Sequence, residues 1–253
     1  MNRSYWDNIA DYYEAEVFDV LKNDQAGILL SKLNRYGVTE KKASDMGCGI
    51  GNFLPDLSCR FQEVFAIDIS SKNIARAQAD YSHLPNVSYM AVDLAAPNVQ
   101  LPKVDFALSV NSIITPSITY RNNMLDVICS HLQVGGHFIL VVPSLESAFL
   151  ADFRLIELNL RNGMSSESAV EVCTQSQKQT DNPRLHEGIV KIYDVETKHY
   201  LKEELFVLLR KRGMEIIETE KIEYPWKTEY ISAPRWMKDP LPWDWLIVAQ
   251  KIK

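Results

Sequence analysis

Three glycines at alternate positions, Gly47, Gly49 and Gly51, follow Asp45 closely and are the residues of this chain best spaced to do chemistry together. Glycine lets the backbone turn sharply and lets a ligand approach where a β-carbon would clash, so the loop, Cys48 included, reads as a cradle for a nucleotide cofactor. Asn52 stands where a dinucleotide loop of the G-x-G-x-x-G kind has its third glycine, which weighs against a nicotinamide dehydrogenase. Three further polar residues close successive apolar runs: Asp68 (followed by Ile69), Asp93 (followed by Leu94) and Asn111. In Rossmann-like folds an acid at the end of the second strand holds a ribose diol, because one carboxylate accepts hydrogen bonds from two hydroxyls. The five histidines, at 83, 131, 137, 186 and 199, have no metal-ligand spacing, and no metal is expected. His199 is the candidate general base, since an imidazole of ordinary pKa removes protons near neutrality.

These residues need a scaffold that ends several strands at one edge. Strands are predicted at Glu63–Ile67, Val87–Val92, Val104–Val110 and Phe138–Val142, with a helix over Ser70–Ala79 capped by Ser70 or Ser71. A further helix, marked by Leu125, Val127, Ile128 and Leu132, is expected to stop at Gly135-Gly136. Regular alternation of strand and helix implies an α/β fold with a parallel sheet covered on both faces. Tyr5–Leu33 reads as two helices split near Lys22-Asn23-Asp24. After Pro143 the rhythm changes: a helix over Glu146–Arg161, a polar helix fragment and mobile loop over 165–184, then an extended hairpin over Ile189–Tyr200. The chain closes with a helix at Lys202–Arg212, strands at Glu215–Ile222 and Trp243–Lys251, and between them a long aromatic and proline-rich connection, residues 224–242. That connection could be a substrate wall or a hydrophobic staple.

With 253 residues the chain can bury one large core, and a single domain is expected: a helical cap at 1–40, a binding core at 41–143, an insertion at 144–200 and a terminal helix and hairpin at 201–253. A net charge of −6 argues against a broad nucleic-acid surface. Four cysteines without a C-x-x-C pair fit a reducing cytoplasm. No apolar run approaches the roughly 20 residues of a membrane span, so no membrane partner is expected.

Asp45-Met46-Gly47-Cys48-Gly49-Ile50-Gly51 resembles the first motif of the class I S-adenosylmethionine-dependent methyltransferases: an acidic residue and a hydrophobic one before G-x-G-x-G. Asp68, Asp93 and Asn111 continue the resemblance at later strand ends. It implies a Rossmann-like three-layer sandwich whose seven-stranded, mostly parallel sheet has an antiparallel last strand, plus the helical cap and insertion. It also implies S-adenosyl-L-methionine as cofactor and S-adenosyl-L-homocysteine as product. By the same resemblance Gly47, Cys48, Gly49 and Gly51 cradle the methionine portion, Asp45 orients its amino group, Asp68 and Ile69 hold the ribose, Asp93 and Leu94 meet adenine, and Asn111 lines the rim near the sulfonium. Tyr13 and Tyr193 are candidates to shield that cation with an aromatic face, core packing being the alternative. The Asn-Pro-Pro-Tyr signature of base-amine methylation is absent at Asn111-Ser112-Ile113-Ile114. A small-molecule acceptor is therefore expected, with a protein or RNA methyltransferase and a non-catalytic binding module as alternatives. The oligomeric state is left open.

Overall fold

The computed structural model describes residues 1–178, 184–192 and 195–253. Its centre is a sheet in the order β3-β2-β1-β4-β5-β9-β8, built from β1 (Lys42–Met46), β2 (Glu63–Asp68), β3 (Val87–Ala91), β4 (Val104–Val110), β5 (Leu132–Pro143), β8 (Met214–Glu223) and β9 (Trp243–Lys251). The first five strands pair in parallel, and β9 runs antiparallel between β5 and β8. The Rossmann-like α/β architecture with an antiparallel last strand is thus as expected.

Alternation along the strands divides the core into two layers, because successive side chains point to opposite faces. Phe65, Ile67, Phe138 and Leu140 face one layer, where α7 (Ile118–His131) adds Leu125 and Ile128 and α10 (Lys202–Arg210) adds Leu205 and Leu209. Val64, Ala66, Ile139 and Val141 face the other, against Leu33 of α4 (Ile28–Tyr36), Leu57 of α5 (Leu54–Ser58) and Ile74 of α6 (Ser71–Asp80). The chain leaves β1 toward β2 and β3, then returns to place β4 on its other side. A crevice opens at such a reversal, outside the carboxyl ends of the strands.

Several boundaries differ from expectation for local physical reasons. The N-terminal region forms short pieces, α1 (Arg3–Ile9), a 3-10 turn at Ala10–Tyr12, α2 (Tyr13–Glu16) and α3 (Val20–Asn23), before α4. The break at Asp24 is where the reading put it, because that carboxylate accepts the first two amides of α4, from Ile28 (3.0 Å) and Leu29 (2.8 Å). A second break follows α2, where Val17 turns extended. The helix before β5 stops at His131 rather than at the glycines, since Leu132 already pairs with Val104 and β5 runs on through Gly135 and Gly136.

Beyond Pro143 come α8 (Leu145–Arg161), α9 (Ser166–Lys178) and a separate hairpin of β6 (Ile189–Ile192) and β7 (Val195–Lys198). The predicted fragment over 165–184 is a helix as far as Lys178; the expected mobile loop at 179–183 lies outside the described residues. The hairpin docks on the loop after β4: the Lys198 amide donates to the Ile114 carbonyl (2.8 Å) and the Tyr200 hydroxyl to that of Ile113 (2.6 Å). Among the described residues no helix is long and apolar enough to cross a membrane.

Candidate active site

The sharp exit from β1 is held by backbone bonds: the amides of Gly47 and Cys48 both donate to the Ile67 carbonyl of β2, at 2.7 and 3.0 Å. Gly47 has φ +87°, and a β-carbon there would lie 2.2 Å from that of Ser112, whose hydroxyl donates to the Met46 carbonyl (2.8 Å). At Gly49 a β-carbon would lie 2.1 Å from the Tyr13 hydroxyl. Here the glycines serve close approach as well as conformation.

A cavity of about 320 Å³ opens over this loop at the β1–β4 reversal. Of the residues singled out in the sequence, Asp45, Gly47, Cys48, Asp68, Ile69, Asp93, Leu94, Asn111 and Tyr13 line it. Gly51 lies outside the wall, against Leu54 and Tyr81, and Gly49 shapes the loop beneath Tyr13. Tyr193 lies outside the described residues.

Asp45 is 1 % exposed and its Oδ2 has no partner. Burial, with Asp68 nearby, pushes its pKa up to about 8. Asp68 accepts the Gly49 amide on Oδ2 (2.9 Å) and the Ser70 amide on Oδ1 (2.8 Å). Burial raises its pKa while these two hydrogen bonds lower it, the net direction being upward. Asp93 accepts the Ala95 amide (2.9 Å) and the Tyr120 hydroxyl on one oxygen. Asn111, at φ +48°, donates from Nδ2 to Asp244 Oδ2 (3.1 Å), which also takes the Tyr224 hydroxyl (2.9 Å). Its own Oδ1 is buried without a partner. Two orphaned acceptors, Asp45 Oδ2 and Asn111 Oδ1, therefore stand at the ends of adjacent strands. Buried polar groups in proteins are nearly always paired, so such a pair marks a place for a ligand with several N–H donors. The ammonium of an aminoacyl nucleoside fits that requirement, and the glycine loop and the two later acids fit its remainder.

His199 is not brought to the cavity. It is buried, its Nδ1 lies 3.2 Å from the Thr197 carbonyl, and burial takes its pKa down to about 4. An imidazole so placed is neutral and shielded, which removes the reason for assigning it the base. Residues 224–242 supply no wall residue either. They fold onto α8, where Trp226 stacks on Tyr230, Arg154 lies over Trp226 and Trp236, and the Tyr230 hydroxyl donates to the Ala151 carbonyl. This is the staple of the two expected alternatives.

Sequence reasoning missed much of the roof. Tyr5 and Trp6 of α1, Val17 and Phe18 of the extended segment, Tyr120 of α7, and Ile192, Val195 and Thr197 of the hairpin all line the cavity. Aromatic spacing at Trp6, Ile9 and Tyr13 marked an apolar face, but nothing local tells that this face covers a ligand site.

Residues 43–136 match the family model described as a methyltransferase domain. A probable cobalt-precorrin-6B C(15)-methyltransferase (decarboxylating) of Methanothermobacter thermautotrophicus is 27 % identical over 133 residues, 48 % of this chain and 67 % of that protein. Among solved structures, the N-methyltransferase NodS of Bradyrhizobium japonicum with S-adenosyl-l-homocysteine superposes at a TM-score of 0.62 and 11 % identity, covering 99 % of this chain and 98 % of that one. Magnesium protoporphyrin IX methyltransferase of Synechocystis, also with the homocysteine product bound, gives 0.60 at 14 % identity, covering 98 % and 97 %. A chain from the complex of a Haloferax volcanii methyltransferase activator with a putative methyltransferase gives 0.60 at 17 % identity, covering 98 % of each. At these identities the structural likenesses speak for the fold, and the domain match for the class of chemistry.

Proposed function

We propose that this chain, a class I S-adenosylmethionine-dependent methyltransferase, delivers the methyl group to a small-molecule acceptor enclosed beneath its N-terminal segment and the β6–β7 hairpin. The observation that carries the reading is the roofed cavity at the β1–β4 reversal, walled by Asp45, Asp68, Asp93 and Asn111 from four successive strand ends. Its volume of about 320 Å³ falls in the range of ordinary small-ligand sites.

When bound, the donor supplies a methyl group already activated on a sulfonium. What is left to the protein is to bind, orient and exclude water, and positioning of this kind can lower a barrier by about 7 kcal/mol or more. In the proposed arrangement Asp45 Oδ2 and Asn111 Oδ1 accept from the donor's ammonium. The two amides on Asp68 fix its carboxylate to receive ribose hydroxyls. Asp93, held by Tyr120, with Leu94 and Ile69, takes the adenine. Gly47, Cys48, Gly49 and Gly51 give the loop its shape, and Tyr13 turns an aromatic face toward the sulfonium. Neutral His199, outside the cavity, takes no part.

The four cysteines are free thiols, and a reducing cytoplasm is the proposed compartment. Calorimetry tests the donor assignment: S-adenosylhomocysteine should bind the native protein, and Asp68→Ala should weaken it at least about tenfold, as loss of a charged hydrogen-bond partner does. Unchanged affinity would refute the assignment. Saturable RNA binding that weakens with salt would favour the RNA alternative, and donor binding without transfer to any acceptor would favour a binding module.

A further inference from the structure

The cavity wall has a one-sided charge. Glu14 and Glu16 from α2, Asp19 ahead of α3, Asp45, Asp68 and Asp93 all line it, and among the described residues no Lys, Arg or His side chain does. The cations that pair with two of these acids approach from outside: Arg76 binds Glu14, and the exposed Lys22 binds Asp19. Three of the six acids belong to the donor assignment above. Glu14, Glu16 and Asp19 do not, and they stand with the aromatic rings of Tyr5, Tyr13 and Phe18 on the segment that roofs the site. Independently of the acids, Asp45 Oδ2 is a fully buried acceptor with no partner in this same cavity.

We propose that the acceptor is a small amine, methylated on nitrogen, and that this roof selects it against hydroxyl, carboxylate and phosphate acceptors. The proposal rests on the methyl-donor reading of the site and extends it to the second substrate. In the step, the amine lone pair forms the C–N bond as the C–S bond breaks, and that bonding pair stays on sulfur. The resulting ammonium gives its surplus proton to water or to a wall carboxylate. Positive charge passes from sulfur to nitrogen inside a carboxylate-lined space, and at no stage is negative charge created there. A hydroxyl acceptor would have to shed its proton beside those same carboxylates, with no positive side chain on the described wall to receive the oxyanion.

The cavity carries its own reporters of that cost. Tyr5, Tyr13 and Tyr120 are phenols on its wall, and all three are held above the ordinary phenol range: burial is the first cause for each, reinforced by Glu16 at Tyr5, by Asp68 and its neighbours at Tyr13, and by the hydrogen bond to Asp93 at Tyr120. An acceptor hydroxyl bound among them meets the same desolvation and the same charges. Aromatic faces next to carboxylates also suit a cationic guest, which they attract without pairing it covalently or tightly. The same carboxylates favour the protonated amine, so turnover should rise with pH toward the amine's own pKa.

The test uses the full chain with S-adenosylmethionine and matched acceptors on common skeletons: benzylamine, benzyl alcohol, benzyl mercaptan and benzoate, with the corresponding methyl to phenylpropyl series. Released S-adenosylhomocysteine is measured by mass spectrometry. Amines should support release at least about tenfold above their alcohol, thiol and carboxylate counterparts, as differential charge stabilisation in a shielded site predicts. In the double variant Glu16→Gln, Asp19→Asn, which keeps an amide oxygen to cap α3, the amine KM should rise about fivefold as two wall charges are lost, with homocysteine-product affinity within about twofold of native. Preference for an alcohol, thiol or carboxylate overturns the proposal. So does product binding without release from any amine, or an unchanged amine KM in the double variant. Failure of the product to bind at all overturns the donor reading itself, which separates the two.

Discussion

Replacing Asp45 by asparagine should stabilise the ligand-free protein and weaken its donor site at once. Asp45 is buried, its Oδ2 is unpaired, and its pKa lies near 8 against 3.8 in the ordinary state. An acid whose folded pKa is raised holds more protons folded than unfolded. Its stabilising contribution is complete below about pH 4 and is lost as pH rises toward 8, at up to roughly 1.4 kcal/mol per pH unit. Over that interval the loss is on the order of 5 kcal/mol, so at pH 8 the isosteric Asp45→Asn variant should outlast the native protein by several kcal/mol, and near pH 4 the two should be nearly equal. The donor's ammonium, however, loses a charged partner, and a hydrogen bond to a charged group is worth about 1.5–3 kcal/mol, which is roughly a tenfold to hundredfold loss of affinity. Urea unfolding at pH 4.5, 6 and 8 measures the first effect, and calorimetry with S-adenosylhomocysteine at pH 8 the second. A variant less stable than native at pH 8, or one that binds the product as tightly as native, would refute the reasoning.

Gly47→Ala should abolish product binding and destabilise the fold by about 1–3 kcal/mol, because φ is +87° and the new methyl would lie 2.2 Å from the Ser112 β-carbon; thermal melts and calorimetry would show both. Tyr120→Phe removes the hydroxyl on Asp93 and should lower product affinity about three- to tenfold, the worth of one such bond, with little change in melting temperature. His199→Gln should retain at least about half of kcat, since a true general base supplies a hundredfold or more and this ring lies off the cavity wall; a hundredfold loss in a folded variant would restore it as the base. Trp236→Ala takes away the ring beneath Arg154 and Arg161 and should cost about 1 kcal/mol of stability without altering product affinity.

The donor half of the site was legible because strand periodicity alone assigns Asp45, Asp68, Asp93 and Asn111 to the ends of β1, β2, β3 and β4, and topology brings those ends together. The glycine spacing then identified which end of the sheet binds. The roof was not legible, because it depends on contacts distant in sequence. The hairpin reaches the cavity only because Tyr200 and Lys198 bond to the carbonyls of Ile113 and Ile114, and Phe18 is seated edge-on against Tyr224. His199 shows the same limit from another side. Its residue type suits a base in water, yet burial removes both its access and its charge, and sequence carries no local mark of burial for a single polar residue. The aromatic connection at 224–242 was placed between two roles by composition, and the cation–ring contacts with α8 decide for the structural one.

The most direct test of the central claim is a crystal structure of the chain with S-adenosylhomocysteine. The account predicts the adenine at Asp93 and Leu94, the ribose hydroxyls on Asp68, and the amino group between Asp45 and Asn111, with the sulfur facing the space under Phe18 and the β6–β7 hairpin. Product bound elsewhere, or in this cavity in the reverse orientation, would contradict it.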